Sequence, residues 1–359
     1  MPTGNDPAPH PSAVYWPALR GGLIALAAAV LFGASTPLVQ RFGAGVGSFS
    51  TAALLYTGAA LAGALLRRPL ELEARVQRGD AKRLALMALF GALIGPVALA
   101  WGLQRTSGAS ASLMLTLEAV FTAALARLWY GETLDRRVML AMSLLTLGGM
   151  ALVADRAQSG AAQVLGLLAV MLAAASWGVD NSLSRAVAQR DPGQVVMFKG
   201  ALGAAASAVL ALAFGERLPG AWPALGLLAV GATGYGLSLR FYLLAQRAFG
   251  AARTGSVFAF APFVGALLAS ALGERGGSGW MLAGALLMAA GIVLHLAERH
   301  AHEHEHEALA HEHAHGHDDA HHLHRHPQMP GETHSHWHRH EAMQHAHPHV
   351  PDEQHGHRH

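Results

Sequence analysis

The sequence contains no cysteine. That excludes a disulfide framework, a thiolate metal site and a cysteine nucleophile. Lysine is nearly absent as well: every basic side chain is arginine except Lys82 and Lys199. Charge of either sign is scarce, at 13% of 359 residues, where a soluble domain carries roughly a quarter. There is no Walker loop, no dinucleotide fingerprint after a strand and no metalloprotease helix motif, so nothing in the chain points to an enzyme. No basic segment precedes the first apolar run, which extends from Leu19 to about Val39. That run is too long for a signal-peptide core and reads as a first spanning helix.

What the chain does have is apolar length. It is 52% hydrophobic with a mean hydropathy of +0.29, and the polar residues from His300 onward pull that average down. Ten segments are long and apolar enough to span a bilayer: 19–39, 47–66, 84–103, 108–130, 137–154, 163–186, 194–214, 222–245, 252–272 and 279–297. Gly91, Gly95 and Pro96 lie inside the third. Such residues are tolerated in membrane helices, where small side chains permit close contact.

Basic residues orient the chain. With the N-terminus inside, the inner loops hold Arg67, Arg68, Arg75, Arg78, Lys82 and Arg83, then Arg136 and Arg137, Arg190, Arg247 and Arg253, and Arg299. The outer loops hold single arginines at 41, 105, 156, 217 and 275. Both termini are therefore expected in the cytoplasm, and the Arg-, Ala- and Gly-rich composition suggests a bacterial inner membrane.

The two halves repeat. Gln104-Arg105 recurs as Gln246-Arg247, Gly131-Glu132 as Gly273-Glu274, and Phe32-Gly33 as Trp177-Gly178. Five spans is an odd number, so the second repeat should enter the membrane upside down. The expected fold is an all-α polytopic membrane protein of ten transmembrane helices in two inverted five-helix repeats. Its parts are a cytoplasmic segment 1–18, repeats at 19–155 and 156–298, and a disordered tail at 299–359. In inverted-repeat carriers the substrate site lies between the halves near the midplane.

Trp177-Gly178, the run Gln104-Arg105-Thr106-Ser107-Gly108-Ala109, Gly131-Glu132, and the stretch from Gly250-Ala251-Ala252 through Pro262 to Gly273-Glu274 carry a resemblance. In this order and spacing they resemble the EamA family of the drug/metabolite transporter superfamily, across about residues 19–297. The resemblance implies secondary transport of metabolites, amino acids or drugs, often as export. One departure stands out: members often carry proline in the middle of the fourth helix, where this chain reads Leu117-Glu118-Ala119.

Ionisable groups inside a membrane are costly and mark function by default. Glu118 lies near the middle of the fourth span, and Asp180 lies with Asn181 in the sixth. Trp177, Asp180, Asn181 and Ser184 share one helical face, and the matching stripe of the first span is Phe32, Ser35, Thr36 and Val39. The expected pathway residues are Glu118, Asp180, Asn181, Ser184, Trp177, Ser35, Thr36 and Arg240. Glu118 or Asp180 would bind a cation or a coupling proton. The competing reading pairs Asp180 with Arg240 or Arg185 as packing only, and has Arg185, Lys199 and Arg240 snorkel to the inner surface. Tyr235, Ser238 and Tyr242 form one face of the eighth span. Glu132 and Glu274 read as helix terminators or caps.

All histidines but His10 and His295 lie from His300 on, and many alternate. The alternating positions are 302, 304, 306; 311, 313, 315, 317; 334, 336, 338, 340; 345, 347, 349; and 355, 357, 359. With too little apolar content for a core, the tail should be disordered without a ligand. Neutral imidazoles in this pattern suit Zn, Ni, Co or Cu. The expected metal ligands are His302, His304, His306, His311, His313, His315, His317, His334, His336, His338, His340, His345, His347, His349, His355, His357 and His359.

No cofactor is required by the membrane part. The expected partners are the lipid bilayer and a small-molecule or metal-ion substrate, with no nucleic acid; a homodimer is compatible. Three functions stay open. The chain is a carrier of a divalent transition metal or metal-linked solute, with the tail as collector or sensor. Or it exports a metabolite or drug while the tail buffers metal. Or it is a membrane-anchored metal store that transports nothing.

Overall fold

In hydrocarbon every backbone amide must bond within its own segment, so long apolar runs become helices. The computed structural model describes residues 15–68, 73–130, 136–184, 187, 190–249, 251–274 and 278–296, together with four strands between 301 and 348. The first half contains α1 (Tyr15–Phe42), α2 (Ser48–Leu66), α3 (Ala81–Met87), a π-helical segment (Ala88–Ile94), α4 (Gly95–Leu103), α5 (Gly108–Met114), α6 (Leu117–Tyr130) and α7 (Arg136–Ala157). The second half contains α8 (Ala161–Ser184), α9 (Pro192–Ala213), α10 (Ala221–Val230), a π-helical segment (Gly231–Leu237), α11 (Ser238–Phe249), α12 (Ala251–Phe258), α13 (Ala261–Ala271) and α14 (Gly279–Leu296).

The element order repeats as closely as the sequence motifs do. The third and eighth predicted spans each contain a seven-residue π-helical segment. The fourth and ninth are each broken once, between α5 and α6 and between α12 and α13. Among the described residues, eight helices are long and apolar enough to cross a membrane. The ninth and tenth predicted spans correspond to the shorter apolar helices 261–271 and 279–294.

Equivalent helices pack on one another: α2 lies along α9 and α7 along α14. Helix α1 contacts α11 and α13, while α8 receives α4 and α6 from the other half. The halves therefore interlock. Leu61, Leu65, Leu128, Leu212 and Leu267 point outward, as expected where lipid is the solvent. The interior is lined by small residues and by Leu55, Met114, Leu152, Leu167 and Met288.

Loops from the two halves meet in two sets. Glu216 reaches Phe49 and Ser50, and Glu274 reaches Gly108 and Ala109. On the other side the segment around Ala74 lies against Arg190 and Asp191. There Arg247 pairs with Glu73 at 2.6 Å and Arg190 with Asp80 at 3.0 Å.

The described part of the tail contains β1 (Ala301–His306), β2 (Ala310–His315), β3 (His334–Arg339) and β4 (Met343–Pro348). Strand β1 pairs antiparallel with β4, and β2 with β3. The physical reason is that alternating sequence has the strand period of two, and backbone pairing needs no apolar core. The register sets His302 opposite His347, His304 opposite His345, His311 opposite His338, His313 opposite His336, and His315 opposite His334. His317, His340, His349, His355, His357 and His359 lie outside the described residues, as do Gly131-Glu132 and Arg185.

Candidate functional site

The two predicted stripes touch at their aromatic residues. Phe32 of α1 and Trp177 of α8, equivalent in the two halves, pack edge to face with ring centroids 5.4 Å apart. Tyr235 from the second π-helical segment closes on both, at 5.9 Å from Phe32 and 6.3 Å from Trp177. Tyr56 of α2 stands 5.5 Å from Tyr235, and Phe258 of α12 stands 5.3 Å from Phe32. Ser35, Thr36, Trp177, Asp180 and Ser184 are all buried, and Asn181 is half-buried beside them.

Gly91 lets this centre close. A Cβ there would collide with the Asp180 carboxylate, so only glycine lets the first π-helical segment lie against α8. Its carbonyl accepts from the Trp177 indole N–H at 3.0 Å and from the Tyr56 hydroxyl. The Gly91–Gly95 pair is thus a contact with α8, since Gly95 faces the Trp177 ring.

The charges are arranged in two linked pairs. Lys199 of α9, buried, donates to Asp180 Oδ2. The other oxygen, Oδ1, is buried without a hydrogen-bond partner. Glu118, the second residue of α6, accepts from Asn181 Nδ2 at 2.6 Å. That bond joins the halves, because Glu118 belongs to the first and Asn181 to the second. One ammonium therefore stands near two carboxylates beside the aromatic cluster.

Several assignments change. Lys199 does not snorkel: it lies inside and neutralises Asp180, the role considered for Arg240 or Arg185. Arg240 is not in the constellation. Its charged neighbours are Arg68, Asp191, Glu73 and Arg247 near the Arg247 loop. Glu274 does cap, and it caps the opposite half. Tyr56, Lys199 and Glu216 gave weaker sequence signals. A lone lysine inside an apolar span of an arginine-rich chain could have identified Lys199; Tyr56 and Glu216 needed the tertiary fold. Tyr235, Ser238 and Tyr242 are buried, and Ser238 donates to the Ala28 carbonyl of α1 at 2.8 Å.

The break before Glu118 also has a local cause. This chain lacks the proline that the family resemblance would put here, yet its helix breaks at Leu115–Thr116. There the Thr116 hydroxyl bonds back to the Leu113 carbonyl at 2.8 Å. The turn leaves Glu118 in the first turn of α6, where the amides of Glu118 and Ala119 bond back to the Leu115 and Thr116 carbonyls at 3.0 and 3.2 Å and the positive end of the helix dipole favours a carboxylate.

Comparison with known proteins agrees with this architecture. The model of the EamA-like transporter family matches residues 19–154 and again 164–297. An uncharacterized transporter of Methanothermobacter thermautotrophicus is 31% identical over 215 residues, covering 57% of this chain. The chain spans 61% of that curated relative's length in the match. A solved crystal structure superimposes with a TM-score of 0.58 at 23% identity, covering 77% of this chain and 95% of its own, which is a likeness of fold.

Proposed function

The chain belongs to the EamA-like transporter family, a drug/metabolite type of transporter, and from that premise we propose that it is a secondary carrier with its site at the Glu118–Asn181 junction. The observation that carries this reading is the buried bond from Asn181 to Glu118 at 2.6 Å, beside the Lys199–Asp180 pair. Among the described residues it is the one place where ionisable groups of both halves meet next to the paired stripes. Ten crossings with inverted halves account for the two sets of loop contacts, since every contact joins loops that the basic-residue bias puts on one side. By that bias, the Glu216 and Glu274 loops are outside and the Arg247 loops are cytoplasmic.

Charge count narrows the cargo. Two carboxylates and one ammonium leave one negative charge, which a proton or a single organic cation neutralises. A divalent transition metal fits less well. It favours imidazole or thiolate donors, and here it would face carboxylates, an amide and a repelling ammonium. We therefore favour a metabolite or drug exporter over a metal carrier, with metal confined to the cytoplasmic tail as a buffer or sensor. Five opposed histidine pairs support metal binding there. The third reading, a membrane-anchored store without transport, gives no flux in any assay.

The test is flux from proteoliposomes with organic monocations as probes, across a pH gradient and with metal chelated. Glu118→Gln and Asp180→Asn should each reduce flux about tenfold or more, consistent with loss of a desolvated charge contact, and Glu118→Gln should flatten the pH dependence. Wild-type flux in both variants refutes the site. Deleting residues 300–359 should remove Zn and Ni binding while leaving chelated-state flux intact. Flux that needs both the tail and added metal would restore the metal-carrier reading.

A further inference from the structure

Two Gly-Glu pairs end helices in the same way. After α9, Gly215 N–H bonds the Leu212 carbonyl at 3.1 Å and Glu216 N–H bonds that of Ala211 at 2.9 Å. After α13, Gly273 bonds Ser270 at 3.1 Å and Glu274 bonds Ala269 at 3.2 Å. Both glycines are left-handed, with φ of +65° and +102°. This is the double-bonded glycine terminus of a helix. Its consequence is to turn the next residue, a glutamate in both cases, back across the molecule.

Each glutamate then grips the other half. Glu216 accepts from the Phe49 amide at 3.1 Å and the Ser50 amide at 2.7 Å, at the start of α2. Glu274 accepts from the Gly108 amide at 2.8 Å and the Ala109 amide at 2.9 Å. Both carboxylates belong to the second half and all four amides to the first. The bonds are charge-assisted and two-pronged; half-buried carboxylates at two helix ends cover the buried Ser50, Gly108 and Ala109, so the bonds release when opening of that face lets water reach those amides. The opposite face is closed differently, by two ion pairs and a backbone bond from Asp191 N–H to the Ala74 carbonyl at 2.8 Å.

We propose that Glu216 and Glu274 are positioning residues of transport: a pair of releasable latches that hold the halves together on one face and let go when that face opens. By the orientation proposed above, this is the outer face. The latches rest on the carrier reading only for their purpose. Whether they hold the face shut is measurable without any cargo.

The natural absence of cysteine makes the test clean. Val39→Cys, buried at the end of the α1 stripe nearer the α1–α2 loop, reports the latched face. Leu84→Cys, buried in α3, reports the opposite one. Both are labelled with a membrane-impermeant maleimide in the full chain, reconstituted in vesicles. Removing both carboxylates (Glu216→Ala with Glu274→Ala) should speed Val39→Cys labelling about tenfold or more and leave Leu84→Cys unchanged or slower. The double Gln variant, which keeps an acceptor oxygen, should fall between. A disulfide between cysteines introduced at Ser50 and Glu216 should slow Val39→Cys labelling below the unlinked rate, and reductant should restore it. Equal acceleration at both reporters means a loosened fold and overturns the proposal. So does an unchanged Val39→Cys rate in the Ala and disulfide forms. A result as expected, alongside absence of flux, would sink the carrier reading and leave the latches standing.

Discussion

In the first half the stripe that faces the centre is Phe32, Ser35, Thr36 and Val39; at the equivalent positions the second half has Trp177, Asp180, Asn181 and Ser184. The contrast continues helix by helix. Counted from the starts of α2 and α9, Lys199 occupies the place that the first half gives to the buried Leu55. Counted from the starts of α6 and α13, Glu118 occupies the place that the second half gives to Pro262. The π-helical segments, the broken helices and the central ring position (Phe32 and Trp177) are duplicated, whereas the ionisable groups of the centre are not. A duplicated scaffold thus brings equivalent helices of the two halves together. The ionisable groups of the candidate site stand in single copies.

The largest break in that asymmetry is to remove its one ammonium. Lys199→Ala leaves Asp180 buried and uncompensated, which costs about 3–5 kcal/mol when one member of a buried pair is lost. The variant should express poorly and unfold well below wild type in detergent. Making both positions neutral like their first-half equivalents Ser35 and Leu55, with Asp180→Asn and Lys199→Met together, should recover most of that stability and none of the flux. Equal instability in the single and double variants would show that the pair is not what the site depends on.

How much of this was legible beforehand follows the same division. Span positions, the repeats and the two stripes could be read from hydropathy and spacing, because a bilayer enforces helix wherever an apolar run is long enough. The partner of Asp180 could not, since Lys199 is nineteen residues on in the next helix, and its depth depends on how α9 lies along α2. The same holds for Glu216: the sequence marks a glycine turn but not the helix that the following carboxylate meets. The break at Leu115–Thr116 was not legible either, because no proline marks it. The tail's alternation has the strand period of two, which the pairing of β1 to β4 displays.

A middle-sized effect tests the duplicated part. Trp177→Phe makes the second half match Phe32 of the first. It deletes the indole bond to the Gly91 carbonyl, which keeps its bond from Tyr56. Interhelical polar contacts in membranes contribute about 0.6 kcal/mol on average and under 2 kcal/mol at most, and the smaller ring adds a packing loss. A total of about 1–2 kcal/mol is expected by thermal unfolding. A loss as large as that of Lys199→Ala would mean that the ring contact, rather than the charge pair, organises the centre.

The smallest effect is expected where intuition puts a large one. Pro262 begins α13 just after the break, at a position whose amide has no partner within the helix. In the first half the equivalent break stands with Glu118 in that place. If the surrounding packing rather than the ring sets the break, Pro262→Ala keeps it: α13 stays pressed on α1, where Gly33 approaches the Ala261 carbonyl. Stability should change by less than about 1 kcal/mol, and the labelling rate of Val39→Cys should stay within about twofold, which corresponds to a free-energy change smaller still. A continuous helix in the variant, seen as a large shift in either measurement, would make proline the cause in the second half and leave Thr116 as a separate solution in the first. The halves would then share the break without sharing its origin.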